Sequence, residues 1–138
     1  MTMISAADAA TIPLSDDAAV LERVRSLIGR ALGRRMWFLF VDAADLQLPM
    51  VMPIDDYPPE PGDEAPIVAE VVSDVMRARG ASGVVVVWER PLGEEANAAD
   101  RAWASALAVA FARADLALRG QLISHRSGVR WLAPDDYL

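Results

Sequence analysis

Four consecutive valines, Val84 to Val87, constrain this chain more than any other stretch. Each is β-branched and stiff at χ1, and so better suited to a strand than to a helix. A strand with one wet face alternates polar and apolar residues. This run does not alternate, so both of its faces must be covered. That puts it at the centre of an α/β sheet. The stretch continues from Gly83 to Asp100 as G-V-V-V-V-W-E-R-P-L-G-E-E-A-N-A-A-D. It turns through Pro91 and Gly93, and Asn97 opens a helix carrying Asp100 in its first turn. The loop that leaves a central strand for a helix N-terminus is the usual place for a ligand in such folds.

The rest of the chain arranges itself around that strand. Residues 1–14 are small and unpatterned and read as a loose arm, leaving 15–138 as one domain. Ser15 is a good N-cap, with Asp16 and Asp17 at the positive end of the helix dipole. Val20, Val24, Leu27, Ile28 and Leu32 follow at helical spacing up to Gly33, with Glu22, Arg23, Arg25 and Arg30 facing water. Arg35 to Asp42 is an aromatic-rich strand. In the next one, Leu46, Leu48, Met50, Met52 and Ile54 share a face at period two, and Pro49 and Pro53 make it an edge. Residues 55–64 form an acidic, proline-rich loop. A helix from about Pro66 to Gly80 presents Ile67, Val68, Val71, Val72, Val75 and Met76. After the central strand comes a helix from Ala98 to Ala114, with Asn97 and Asp100 as a capping pair. Arg119–Ser124 and Val129–Leu132 are short strands joined by H-R-S-G. The expected fold is a single three-layer α/β domain with a mixed sheet, in the order α-β-β-α-β-α-β-β.

Composition removes several function classes. The chain has 138 residues and a net charge of −7, which opposes phosphate backbones and anionic lipid. Nucleic-acid and membrane partners are therefore not expected. All 13 basic residues are arginine, a bias of GC-rich bacterial genomes. No cysteine is present, which excludes disulfides and thiolate chemistry, and a single His125 excludes a multi-histidine metal site in one chain. The start of the sequence lacks the basic and apolar regions of a signal peptide, and no apolar run reaches the ~20 residues of a membrane span. The expectation is a cytoplasmic domain. At 54% hydrophobic residues the chain is more apolar than most soluble domains, which points to association, most simply as a homodimer. Strand two, with its methionines, is the surface this reading selects.

Trp88, Arg90, Asn97 and Asp100 are the candidate pocket, opposed by a plainer reading in which Arg90 and Asp100 form a salt bridge or Asp100 only caps its helix. Asp42, Asp45, Asp55 and Asp56 offer oxygen ligands for a hard cation, but lack calcium-loop spacing and read better as turn residues. Trp37 reads as core. His125, in the hairpin, reads as an exposed loop residue. Ser124 beside it points to the opposite face, so the two are no nucleophile–base pair.

The element order, together with W-E-R-P-L-G followed by N-A-A-D, resembles the JAB/MPN metalloprotease fold, and within it the RadC-like, DNA-repair-associated family. That family carries H-x-H-P-S-G and then S-x-x-D. Pro91, Gly93 and Asp100 match it. Trp88 and Arg90 stand where the two zinc-binding histidines would be, and Asn97 where the serine would be. The family's catalytic glutamate precedes the first strand, where this chain has Arg34 and Arg35. F-V-D at the end of strand one and L-R-G-Q-L-I-S are looser matches, and the likeness spans Arg35 to Leu132. The order also resembles the cytidine-deaminase fold, whose zinc needs cysteines this chain lacks.

The resemblance implies a degenerate, non-catalytic member. A zinc hydrolase needs three protein ligands and an open water position. Of that set only Asp100 is retained, and Arg90 brings a fixed positive charge to where the cation would sit. The expected function is a protein-interaction or self-association module without cofactor. The alternative is a metal-independent binder of a small molecule or peptide at residues 88–100, and a hydrolase is a distant third. Purified protein should carry no stoichiometric zinc; metal analysis finding about one zinc per chain would overturn this ligand argument.

Overall fold

The computed structural model describes residues 12–137. Among them are three α-helices, α1 (Asp17–Leu27), α2 (Glu64–Arg79) and α3 (Ala98–Arg113). The five strands are β1 (Arg35–Val41), β2 (Gln47–Asp55), β3 (Gly83–Glu89), β4 (Leu118–His125) and β5 (Gly128–Leu132). They form one mixed sheet in the order β2-β1-β3-β4-β5. β1 is antiparallel to both β2 and β3, β3 and β4 are parallel, and β5 closes an antiparallel hairpin with β4. The α/β class, the element order and the central place of β3 follow the expectation.

β3 is central because its side chains have no wet side. All seven of its residues are buried. Val84 and Val86 enter a core with Phe38, Phe40, Trp103, Leu107 and Phe111, covered by α2 and α3. Val85 and Val87 enter a second core with Val20, Val24, Leu39 and Leu122, covered by α1. Burying each valine is worth about 1.5–3 kcal/mol, so the four together anchor both layers.

The details of α1 differ from expectation. Its N-cap is Asp16 rather than Ser15, accepting a hydrogen bond from the Ala19 N–H at 2.8 Å. It ends five residues early, because Gly29 takes the left-handed φ of 68° that closes a helix, and Leu32 is left 79% exposed in the following loop. Apolar spacing alone carried the reading past a good stop signal. Arg23 does not face water. It is buried and donates to Gln47 Oε1 at 2.6 Å and to the Ile12 carbonyl at 3.0 Å. The expected loose arm ends sooner than residue 14. Leu14 is buried in the α1 core, and its N–H donates to the Asp45 carbonyl. The remainder of the arm, residues 1–11, lies outside the described residues.

β2 is an edge strand, as its prolines require. Pro53 faces Trp37 across the ladder. Having no N–H, it must occupy a non-hydrogen-bonded position, which turns its nitrogen outward. Leu48, Met50, Met52 and Ile54 pack against the α2/α3 core. The face expected to dock a second molecule is thus largely occupied by the chain's own helices.

Val86 has no exposed surface and lies opposite Phe38. Val86→Asp should therefore cost more than about 4 kcal/mol and abolish cooperative folding by circular dichroism. A soluble, folded variant would contradict the central position of β3.

Candidate functional site

Three consecutive residues at the end of β3 set up the site. Trp88 points into the α2/α3 layer, Glu89 turns to the loop before β1, and Arg90 begins the loop to α3. Parallel pairing brings the C-terminal ends of β3 and β4 together, so that the Arg90 N–H reaches the Ser124 carbonyl and the Arg126 N–H reaches the Leu92 carbonyl. The loop is thereby stitched to the β4–β5 turn.

The structure brings all four candidate residues, Trp88, Arg90, Asn97 and Asp100, onto the wall of one cleft of about 310 Å³. It also shows that each has at least one side-chain polar atom engaged inside the protein. Arg90 is 3% exposed and donates to Asp100 Oδ2 at 3.1 Å through Nε, to the Gly93 carbonyl at 2.7 Å and to the Glu95 carbonyl at 2.7 Å. Its guanidinium fork spans the loop and fixes its shape. Asp100 Oδ2 also accepts from the Asn97 N–H at 2.9 Å, while Asn97 Oδ1 accepts from the Asp100 N–H at 2.8 Å. This is a reciprocal capping box. The salt bridge and the helix cap are both present, in the same carboxylate. Trp88 Nε1 donates to Gln121 Oε1, and Gln121 Nε2 donates to the Ala104 carbonyl on α3.

The rest of the cleft wall is apolar, with Leu92 exposed and Trp88 and Trp103 nearly buried behind it. Tyr57, Trp88 and Trp103 form a triangle of rings with centroids 5.4–5.9 Å apart, in tilted and edge-on geometry. Tyr57 comes from the acidic loop, which is held here by Trp103 Nε1 donating to the Pro58 carbonyl and by Arg34 donating to the carbonyls of Tyr57 and Pro58. The Arg34 guanidinium also stacks 3.6 Å from the centre of the Tyr57 ring. Burial pushes the Tyr57 hydroxyl up to about 12, against the opposing charge of Arg34. It is a neutral donor and acceptor at physiological pH. Leu92, 45% exposed, lines the cleft with Pro59 and Pro91.

Sequence reading missed Tyr57, Trp103 and Arg34, because three segments far apart in the chain supply them, and it did not single out Leu92 within the 88–100 stretch. It also missed Glu89, although a carboxylate directly after five buried residues is itself a signal. Glu89 is 3% exposed. Its Oε2 accepts from the Leu32 and Gly33 N–H groups at 2.8 and 3.0 Å. Its Oε1 accepts from Arg35 at 3.0 Å and Trp37 Nε1 at 2.9 Å. Burial alone would raise its pKa, but the bonds from Trp37, Leu32, Gly33 and Arg35 outweigh burial and hold it below the ordinary 4.5.

The other candidates are structural. Asp42 Oδ1 accepts from the Ala44 and Leu46 N–H groups, and Asp45 and Asp56 take left-handed φ values of 61° and 55°. These are turn roles. No group of three or more His, Asp or Glu among the described residues is arranged to hold a metal ion. Trp37 is half-buried against the α1 core. His125 is buried at the end of β4 rather than exposed, because the strand runs one residue further than expected. Its Nδ1 accepts from the Ser127 N–H, whereas Ser124 Oγ donates to the Gly29 carbonyl, so the two side chains serve different loops. No helix among the described residues is long and apolar enough to cross a membrane.

No known family model and no curated protein matches the chain.

Glu89 yields a pH prediction with a definite sign. A carboxyl whose folded pKa is depressed adds stability above its unfolded value, and that stability is lost as pH falls through the folded value. Stability should thus decline below about pH 4.5, and Glu89→Gln should flatten that part of the profile. The glutamine must turn its NH₂ toward one pair of donors, so at pH 7 the variant should lose about 2–4 kcal/mol by urea denaturation. An unchanged acid limb would refute the assignment.

Proposed function

We propose that the domain is a non-catalytic binding module whose ligand, a small apolar molecule or a proline- or aromatic-bearing peptide, enters the cleft at the C-terminal end of β3. One observation carries this reading. The polar groups that chemistry would use are spent on the loop, while the walls of Tyr57, Trp88, Trp103 and Leu92 stay apolar. A concave, mostly apolar site with few polar groups is the usual form of a small-ligand pocket. The Tyr57 hydroxyl and the Asn97 amide nitrogen, which make no hydrogen bond among the described residues, supply polar contacts at the rim. The JAB/MPN resemblance supports the same location, since W-E-R-P-L-G and N-A-A-D border the cleft. On this reading the module works in the cytoplasm without metal, in keeping with its lack of cysteine.

A second reading, an interaction or self-association module, is favoured by the exposure of Ile67, Val71 and Val109 on the helices. It places the partner on the helical face rather than on β2.

The first reading is tested by a thermal-shift screen of aromatic fragments and proline peptides. A true ligand should raise the melting temperature by about 2–4 °C at saturating concentration. Leu92→Asp should abolish that shift and leave the unliganded melting temperature unchanged, because Leu92 is already half in water. A shift that survives in Leu92→Asp would place the ligand elsewhere.

A further inference from the structure

The outer face of α2 and α3 carries a groove of about 680 Å³ that shares no lining residue with the aromatic cleft. Its floor is low because alanines meet there, Ala65 and Ala69 from α2 and Ala106 and Ala110 from α3. The two helices run in the same direction. β2 and β3 are both antiparallel to β1, so α2 connects parallel strands, as α3 does between β3 and β4. The charges along the groove are graded. Asp63 and Glu70 lie toward the start of α2, whereas Arg77 and Arg113 lie in the last turns of the two helices. Asp63, Glu70 and Arg113 make no ion pair among the described residues, and Arg77 pairs only with exposed Asp74 one turn away.

We propose that this face is where two copies of the chain meet, with α2 and α3 of one protomer lying antiparallel on those of its partner about a two-fold axis. Charge favours this arrangement. A two-fold axis lying in the contact plane and perpendicular to the length of the groove reverses the helices and sets the acidic end of each copy against the basic end of the other. Two molecules of net charge −7 repel at long range, and this local pairing offsets the repulsion at the contact. The alanine floor lets the helices approach closely, and Val109, 44% exposed on the groove wall, supplies an apolar centre. The arginines also complement their own helix dipoles, a role that needs no partner. Asp63, the N-cap residue of α2, likewise complements its own dipole, whereas Glu70 lies well inside α2 and has no such second explanation along the groove.

Light scattering of the full chain at tens of micromolar should give twice the 14.9 kDa of one chain. A mass of one chain would overturn the proposal. Val109→Glu and Glu70→Arg alter exposed positions and should leave the circular dichroism unchanged, while weakening the dimer at least about tenfold each. A dimer unaffected by both substitutions would exclude this face. Mixing Glu70→Arg protein with an Arg77→Glu/Arg113→Glu variant should restore dimers between the two. Failure of that pairing would rule out the antiparallel arrangement.

Discussion

Two buried charges of opposite sign, adjacent in sequence, hold the cleft end of this molecule together. Glu89 and Arg90 leave the last pairs of β3 in different directions, and each is fully engaged by a different loop. Glu89 gathers the backbone N–H groups before β1, and Arg90 gathers the carbonyls before α3. A buried charge without partners is very costly, so neither loop can leave without exposing the penalty of the charge it surrounds. The strand end thus fixes the mouth of the cleft from both sides, and the aromatic triangle is set into a frame that is already rigid.

That arrangement explains why the cleft lies where ligands gather in such folds while most of its polar groups are engaged within the protein. A loop leaving the central strand toward a capped helix is a place where groups converge. Here the converging groups neutralise one another. Asp100 serves Arg90 and the helix cap with the same oxygen, so that oxygen is already engaged within the protein. The groups not so engaged are rings and aliphatic side chains, whose contribution is shape and desolvation.

Much of the fold was legible in sequence because its strongest signals are local. The valine run, the Asn97–Asp100 box and the Gly80 stop each state their structure within a few residues, and all three are found as read. The errors have physical causes. Around Gly29 a left-handed closure competed with continuing apolar spacing, and the closure won because the loop gains Glu89 as an acceptor. Arg23 looked like a water-facing residue because its acceptor, Gln47, lies 24 positions away. The four residues on the near side of the cleft were visible as a contiguous motif. Tyr57, Trp103 and Arg34 were not, since the ring contacts that unite them exist only after β1, β3 and α3 have been brought together.

The prolines of β2 have a consequence beyond register. An open sheet edge is a template for further strands, and a chain this apolar would be exposed to cross-β aggregation through it. With Pro53 turned outward, and the pairing with β1 shifting register across Val51 to Gln47 where Pro49 lies, the free edge lacks a donor and a regular ladder, so an incoming strand meets an interrupted template. The other edge, β5, is only five residues long and is followed directly by a short 3₁₀ turn at Pro134–Asp136. The molecule can therefore carry a large apolar interior while presenting little regular ladder for strand addition at either sheet edge.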